Sequence, residues 1–401
     1  MNKAGNAIIG QSGGPTSVIN ASLAGVVQTA LRCDTITHIY GMRYGIQGFM
    51  ERNIIDMGKE DASTIEGLRR TPSSALGSCR KKLTDEDLPV ILQLLREYNI
   101  RYFFLIGGND TMDTIQRIEA YSRDQGYELW GVGVPKTVDN DLYGTDHTPG
   151  YGSAGRYVAM SVKQSGLLAR DMKRVDPFVI YQAVGRDAGW LAAAAALAKE
   201  CAEDPPHLIY TPERSFSRER FITDVRQCYD QYGFCSIVCG EGIHFEDGTP
   251  VSASDTKDRF NNIEFGAMGG TSAAMALHRM IAEELDLRGE FQVVESLQMC
   301  GMDRASEVDL EEAFAVGARA VDLATAGTSG VMVSIQRKSD LPYSSELTTA
   351  ALSEVAVKAK PMPPEYLNEA GNFVTQAFID YARPLIDELP YYVNLANHPA
   401  E

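Results

Sequence analysis

The sequence predicts an α/β protein of two lobes, each a mostly parallel sheet flanked by helices. Two observations lead there. Short apolar runs alternate with segments of helical periodicity along most of the chain, and strands buried on both faces belong to parallel sheets covered by helices. The length, 401 residues, is too great for one small domain and suits two lobes that share a cleft.

The elements follow in order. Ala7–Gly10 reads as a strand, followed by a helix over Ser17–Arg32. Arg101–Ile106 (RYFFLI) is a strand, with a helix over Asp110–Asp124 and another strand at Glu128–Val134. Phe178–Val184, His207–Tyr210 and Cys235–Cys239 read as buried strands, Glu290–Leu297 as a further strand, and Glu307–Ala324 as a helix. Leu142–Ser153 (LYGTDHTPGYGS) is rich in Gly, Pro and Thr and marks the lobe boundary. The expected division is a first lobe over 1–148, completed by about 299–330, and a second over 149–298. A wrap-around segment over 331–401, rich in proline after Leu341, completes the chain.

Composition narrows the function. A net charge of -17 opposes binding to nucleic acid or to an anionic membrane. No apolar run reaches the roughly 20 residues that a membrane helix needs. The first residues lack the pattern of a secretory signal, so a cytoplasmic location is expected. The seven cysteines are irregularly spaced without a C-x-x-C pair, which argues against a disulfide framework. Cys235 and Cys239 stand at even spacing in one strand and are expected to face the core together.

Ligands of open parallel sheets sit at the carboxyl ends of strands. Three polar clusters fall at such ends. Gly10-Gln11-Ser12-Gly13-Gly14-Pro15-Thr16 joins a strand to a helix; its glycines admit close backbone approach, and the helix start offers N–H groups to an anion. The alternative is a plain tight turn. Gly107-Gly108-Asn109-Asp110-Thr111 opens the next helix, and its oxygens suit Mg²⁺ beside a phosphate cradle as well as ordinary capping. Pro135-Lys136-Thr137-Val138-Asp139-Asn140-Asp141 places a cation, a hydroxyl and two carboxylates at one strand end. Phosphoryl transfer needs charge stabilisation and a group that receives the acceptor's proton. Lys136 supplies the first, and Asp139 or Asp141 the second. Arg80, in Gly77–Lys82, and Arg186, in Val184–Trp190, are the further cations expected on phosphate oxygens.

These segments together resemble the phosphofructokinase family. GQSGGPTSVINA, LGSCRKKL, IGGNDTMDT, PKTVDNDL, VGRDAGWLAA and TPE follow the family's order across residues 10 to 213. The resemblance implies that Gly13, Gly14, Gly108, Asn109, Asp110 and Thr111 bind a phosphoryl donor in the first lobe, with Mg²⁺ at Asn109 and Asp110. It implies that Arg80 steadies the migrating group, that Asp139 is the general base, and that Thr137 and Asp141 hold the acceptor. Val184, Gly185, Arg186 and Glu213 would line the sugar site, with Ser296 and Met299 at its far end. A homodimer or homotetramer is implied, because a neighbouring subunit completes the family's site.

Two positions resemble the diphosphate-using branch rather than the ATP-using one. Asp110 and Lys136 stand where ATP-using members carry glycine. Asp110 would fill and repel the space of a nucleotide α-phosphate; two like charges about 4 Å apart repel by roughly 4 kcal/mol at an effective dielectric of about 20. The acceptor end departs from the family. Ser296 and Met299 replace an aromatic residue or His and an Arg, and Pro177 and Glu290 stand at two further basic positions. Lys173, Arg174, Arg288 or Arg304 are candidates to compensate. The expected activity is phosphorylation of the 1-hydroxyl of fructose 6-phosphate, or of a related 6-substituted ketose, by diphosphate. The alternatives are a non-phosphorylated or sulfonated fructose as acceptor, and a non-catalytic sugar-phosphate sensor. An NAD-kinase-like enzyme fits poorly, because PKTVDND and VGRDAGW are foreign to it.

Overall fold

The computed structural model describes residues 4–252, 271–393 and 395. Among the described residues eleven strands form two sheets. The larger runs β11-β10-β5-β4-β1-β2-β3. Its members are β1 (Gly5–Gln11), β2 (Ile36–Met42), β3 (Ile54–Asp56), β4 (Ile100–Gly107), β5 (Trp130–Pro135), β10 (Val331–Asp340) and β11 (Tyr343–Ala351). The smaller runs β7-β8-β6-β9, from β6 (Phe178–Ala183), β7 (Leu208–Tyr210), β8 (Cys235–Gly240) and β9 (Gly289–Val293). Every pairing in the smaller sheet is parallel. In the larger sheet only the outer pairs β2–β3 and β10–β11 are antiparallel. The architecture is therefore two mostly parallel sheets flanked by helices.

Parallel pairing explains the apolar runs. Phe103, Phe104 and Ile106 of β4 are fully buried, because helices cover both faces. On one face the helices Ile19–Ala30 and Glu307–Ala326 cross in direct backbone contact. A β-carbon on Gly25 would lie 2.1 Å from the Phe314 carbonyl oxygen, and one on Gly317 would lie 2.1 Å from that of Ser22. Glycine at both positions sets this approach.

Two expectations need correction. Residues 331–351 do not wrap the surface; they form β10 and β11, and Val331 and Met332 pair with Val132 and Gly133 of β5. Burial of Met332, Val333 and Ile335 against the sheet drives this. The predicted strand Glu290–Leu297 ends at Val293, and Leu297 begins a one-turn helix, Leu297–Cys300. Cys235 and Cys239 do share one core cluster.

Residues 142–150 run between β5 and the helix Tyr151–Asp171, and they are firmly anchored. His147 is 2% exposed. Its Nδ1 lies 2.8 Å from Asp146 and its Nε2 2.5 Å from Glu312. Arg337 of β10 reaches Asp146 at 3.0 Å. Burial alone would lower the His147 pKa, but the bonds to Asp146 and Glu312 outweigh it and raise the value. Among the described residues no helix is long and apolar enough to cross a membrane.

Candidate active site

The carboxyl ends of β1 and β5 face those of β6, β8 and β9 across a cavity of about 410 Å³. Strand order reverses beside β1 in one sheet and beside β6 in the other, and such switch points leave room between adjacent loops. The cavity is lined by Gly14, Arg80, Lys136, Thr137, Asp139, Asp141, Val184, Gly185, Arg186, Ser296 and Met299, all expected from sequence. Asp187, Glu241 and Glu295 also line it and were not foreseen as site residues.

Each loop is held by its own residues. Gly13 has φ +77°, and its N–H donates to the Cys79 carbonyl at 3.2 Å. Ser78 Oγ donates to the Gly13 carbonyl at 2.6 Å. The segment carrying Arg80 is thus clamped to the first glycine loop. Lys81, next to it, is paired with Asp87 at 3.1 Å and points away from this role.

The Lys136–Asp141 loop is a tight turn. Asp139 N–H donates to Thr137 Oγ1 at 3.2 Å, and Asn140 adopts φ 55°. Asn140 is buried; its Oδ1 accepts from Thr148 N–H at 3.1 Å, and its Nδ2 donates to Tyr381 Oη at 2.9 Å. Lys360 N–H donates to the Asp141 carbonyl at 2.7 Å. With Asn140 pinned inward, Asp139 and Asp141 both face the cavity.

The electrostatics suit proton and phosphoryl chemistry. Burial, then the neighbouring Asp141, push the Asp139 carboxyl up to about 6, with Lys136 and Arg186 opposing. Burial pushes the Lys136 ammonium down to about 8, although Asp139 and Asp141 favour its charge. Burial raises Asp141 as well. Glu241 is pushed up to about 7, mainly by burial, and its Oε1 accepts from Gly185 N–H at 3.2 Å. All three carboxyls are thus raised above the ordinary carboxylate range beside a lowered lysine, and such perturbed groups cluster at catalytic centres.

Six predicted residues stand outside the cavity lining. Gly13 lies behind Gly14, against the Lys136 ammonium. Gly108 backs the lysine loop: a β-carbon there would meet the Lys136 carbonyl oxygen at 3.8 Å. Thr111 is buried and packs where a side chain on Gly107 would stand, 2.1 Å away. Asn109 Nδ2 donates to the carbonyls of Val355 and Lys358, each at 2.9 Å, so this amide fastens the turn after β11. Asp110 is exposed at the start of the helix Asn109–Asp124. Glu213 accepts from Gly189 N–H at 2.7 Å and supports the Val184–Trp190 loop from behind. The glutamates in the cavity are Glu241 and Glu295, and the signal for the first was Gly240-Glu241-Gly242 directly after an apolar strand.

The cations proposed to compensate at the acceptor end lie elsewhere. Arg304 stacks 4.7 Å over Tyr157 and donates to Ser161 at 2.6 Å. Arg288 is paired with Asp176 at 3.6 Å. Neither these nor Lys173 or Arg174 line the cavity.

Residues 6–324 match the model of the family described as phosphofructokinase. The chain belongs to the phosphofructokinase family. A phosphofructokinase relative from Methylococcus capsulatus, named pyrophosphate–fructose 6-phosphate 1-phosphotransferase, is 39% identical over 98% of this chain and 96% of its own. The solved pyrophosphate-dependent phosphofructokinase of Marinobacter aquaeolei superposes with a TM-score of 0.87 at 37% identity, covering 97% of this chain and 94% of that one. A relative from Alkalicoccus urumqiensis named sulfofructose kinase is 34% identical over 95% of this chain and 96% of its own.

Proposed function

We propose that this phosphotransferase moves a phosphoryl group from diphosphate to the 1-hydroxyl of fructose 6-phosphate or a closely related 6-substituted ketose. The observation that carries the reading is the convergence of Arg80, Lys136, Arg186, Asp139 and Asp141 on one cavity. The names of the full-length relatives support it.

Asp139 takes the proton of the attacking hydroxyl. Its raised pKa still leaves it ionised near neutrality, and a base with a pKa near the working pH is efficient. Lys136 and Arg80 bind the phosphoryl oxygens and stabilise charge that builds on the leaving phosphate. Thr137 and Asp141 orient the acceptor. Asp110, in place of glycine, disfavours a nucleotide α-phosphate. For Mg²⁺ the donor set fits in part. The exposed carboxylate of Asp110 can supply a hard oxygen ligand, and Asn109, whose Nδ2 is held by two backbone carbonyls, keeps its Oδ1 to offer a second. Bound Mg²⁺ would neutralise charge on the diphosphate oxygens.

The larger sheet serves the donor and the smaller one the acceptor, in a homodimer or homotetramer working in cytoplasmic sugar metabolism such as glycolysis. A second reading concerns the acceptor. The loops after β8 and β9 present Glu241, Glu295, Ser296 and Met299. A phosphate dianion calls for several charge-assisted bonds, and a fructose ending in a hydroxyl or a sulfonate needs fewer cations. Measurement of kcat/KM for diphosphate and ATP against fructose 6-phosphate, fructose and 6-sulfofructose decides both points. Turnover with ATP equal to that with diphosphate would refute the donor. A large excess for fructose 6-phosphate would refute the second reading.

A further inference from the structure

A second cluster of reactive side chains lies away from the cleft, at the opposite end of the smaller sheet. His207 precedes β7, Cys228 sits in the helix Arg218–Tyr232, and Cys235 opens β8. One imidazole nitrogen and the two sulfurs all lie within 4.8 Å of one another. Cys228 and His207 line a cavity of about 310 Å³ together with Lys199 and Asp224. Cys235 is 1% exposed and lies behind Cys228.

The tautomer of His207 follows from its backbone partner. Ser236 N–H donates to His207 Nδ1 at 3.0 Å, so Nδ1 offers its lone pair and a neutral ring carries its proton on Nε2. The ring is fixed between Tyr232, stacked at 4.9 Å, and Phe234, edge-on at 4.8 Å. His207 Nε2 is buried and has no hydrogen-bond acceptor among the described residues. A buried donor without an acceptor is costly. A neutral thiol is a poor acceptor, whereas a thiolate is a good one. As a thiol Cys228 donates to the Phe234 carbonyl at 3.4 Å; as a thiolate it would give His207 Nε2 the acceptor it lacks, and it faces the cavity where Cys235 does not.

We propose that Cys228 is a thiolate nucleophile open to peroxide, and that Cys235 resolves its oxidised form as a disulfide. The surrounding charges agree. The neighbouring Cys235 thiol, then His207 and Lys199, hold the Cys228 thiol down to about 6 against the effect of burial. Asp224 opposes them from the same cavity, but its carboxylate is engaged by Tyr210 Oη at 2.8 Å and Asn372 Nδ2 at 3.0 Å. The cavity is ample for hydrogen peroxide, given that one water occupies about 30 Å³.

The chemistry balances with peroxide as the oxidant. The Cys228 sulfur attacks one peroxide oxygen; an S–O bond forms, the O–O bond breaks, and the departing hydroxide takes a proton to leave as water. The Cys235 sulfur then attacks the Cys228 sulfur. The S–S bond forms, the S–O bond breaks, and the oxygen leaves with the thiol proton as a second water. Two thiols are oxidised and one peroxide is reduced.

The test uses the full chain, reduced and in metal-free buffer. Iodoacetamide labelling, followed peptide by peptide with mass spectrometry, is measured from pH 5 to 9. Cys228 should show half-maximal labelling near pH 6, against about 8.5 for an unperturbed thiol. His207→Phe should move that midpoint upward by a unit or more, and His207→Gln, which restores an N–H donor, should reverse part of the change. Peroxide should produce a Cys228–Cys235 disulfide in the native protein, whether or not the His207 variants fold. In Cys235→Ser it should leave a sulfenic acid on Cys228 that dimedone traps. An ordinary midpoint for Cys228, a lasting sulfenic acid with no disulfide in the native chain, or a stoichiometric zinc ion held on these three groups would each overturn the proposal.

Discussion

The Lys136 ammonium lies 3.1 Å from the point that a β-carbon on Gly13 would occupy. A side chain at residue 13 would therefore crowd that ammonium, and the close fit of the donor loop and the lysine loop favours glycine there. The φ of +77° at Gly13 imposes the same choice through the backbone. Gly13→Ala should lower stability by about 1–2 kcal/mol, the cost of a left-handed L-residue. It should lower kcat by more than the loss of folded protein explains. Urea unfolding and steady-state kinetics on one preparation separate the two effects.

Lys136→Met tests the lysine directly. If its charge stabilises the leaving phosphate, kcat should fall about 10²–10³-fold. The KM for the acceptor should change little, because the loss falls on the transition state. A fall confined to KM would assign Lys136 to ground-state binding.

Asp139 governs the acid side of the pH profile. It must be ionised to receive a proton, so activity should rise as pH passes about 6. Lys136 must be protonated to stabilise charge, so activity should decline above about 8. The log of kcat/KM against pH should be bell-shaped between those limits. Asp139→Asn should remove the acid limb and reduce kcat about 10²–10⁴-fold. Retention of the acid limb in that variant would move the role of base to another carboxylate.

Met299→Arg probes the acceptor end. Arg304 and Arg288 are engaged elsewhere, so a new guanidinium beside Ser296 should add a charge-assisted bond to a distal phosphate. Such a bond contributes about 1.5–3 kcal/mol, or roughly ten- to a hundredfold in kcat/KM for fructose 6-phosphate. Lower activity would mean that other cations already hold that phosphate.

The His147 triad makes a prediction about stability. Its folded pKa is raised, so its contribution is complete below the unfolded value of about 6.5 and is lost as pH rises through the folded one. Asp146 and Glu312 are lowered, because their bonds to His147 outweigh burial; their contribution is lost as pH falls below about 4. His147→Gln should cost about 1–3 kcal/mol near pH 6, because Glu312 loses its cation and keeps only the hydroxyls of Tyr343 and Ser345, while Asp146 keeps Arg337. The difference from the native chain should shrink above pH 6.5 in urea titrations. A gap that is flat with pH would show that His147 is neutral in the fold.

The strands β1, β4, β5, β6 and β8 were legible because burial on both faces leaves an unbroken apolar run. The turn residues at their carboxyl ends were legible because glycine and aspartate are needed there for shape and charge. Residues 331–351 were not. Gln336, Lys338 and Asp340 are exposed and alternate with half-buried Arg337 and Ser339, and β11 is half exposed at the sheet edge, so the pattern resembles a surface segment. Glu213 was expected in the sugar site and Glu241 was not foreseen, for a similar reason. Each is a glutamate close after a strand, and only the three-dimensional packing shows which one looks into the cleft. The bonds of Asn109 Nδ2 to carbonyls some 250 residues away were not legible either, because nothing local reveals them.

The place of β10 bears on how the molecule is made. β5, whose end carries Lys136, gains its outer neighbour only when Val331 and Met332 arrive. At about 5–20 residues per second, the ribosome needs on the order of 10–40 s to span the interval between Pro135 and that strand. Throughout that time β5 is an open edge, able to pair with any other extended chain. The catalytic loop therefore lies on one of the last two seams of the larger sheet to close. A nascent chain that stalls before Ala351 would be inactive and prone to aggregation, although nearly all of its active-site residues have already been made.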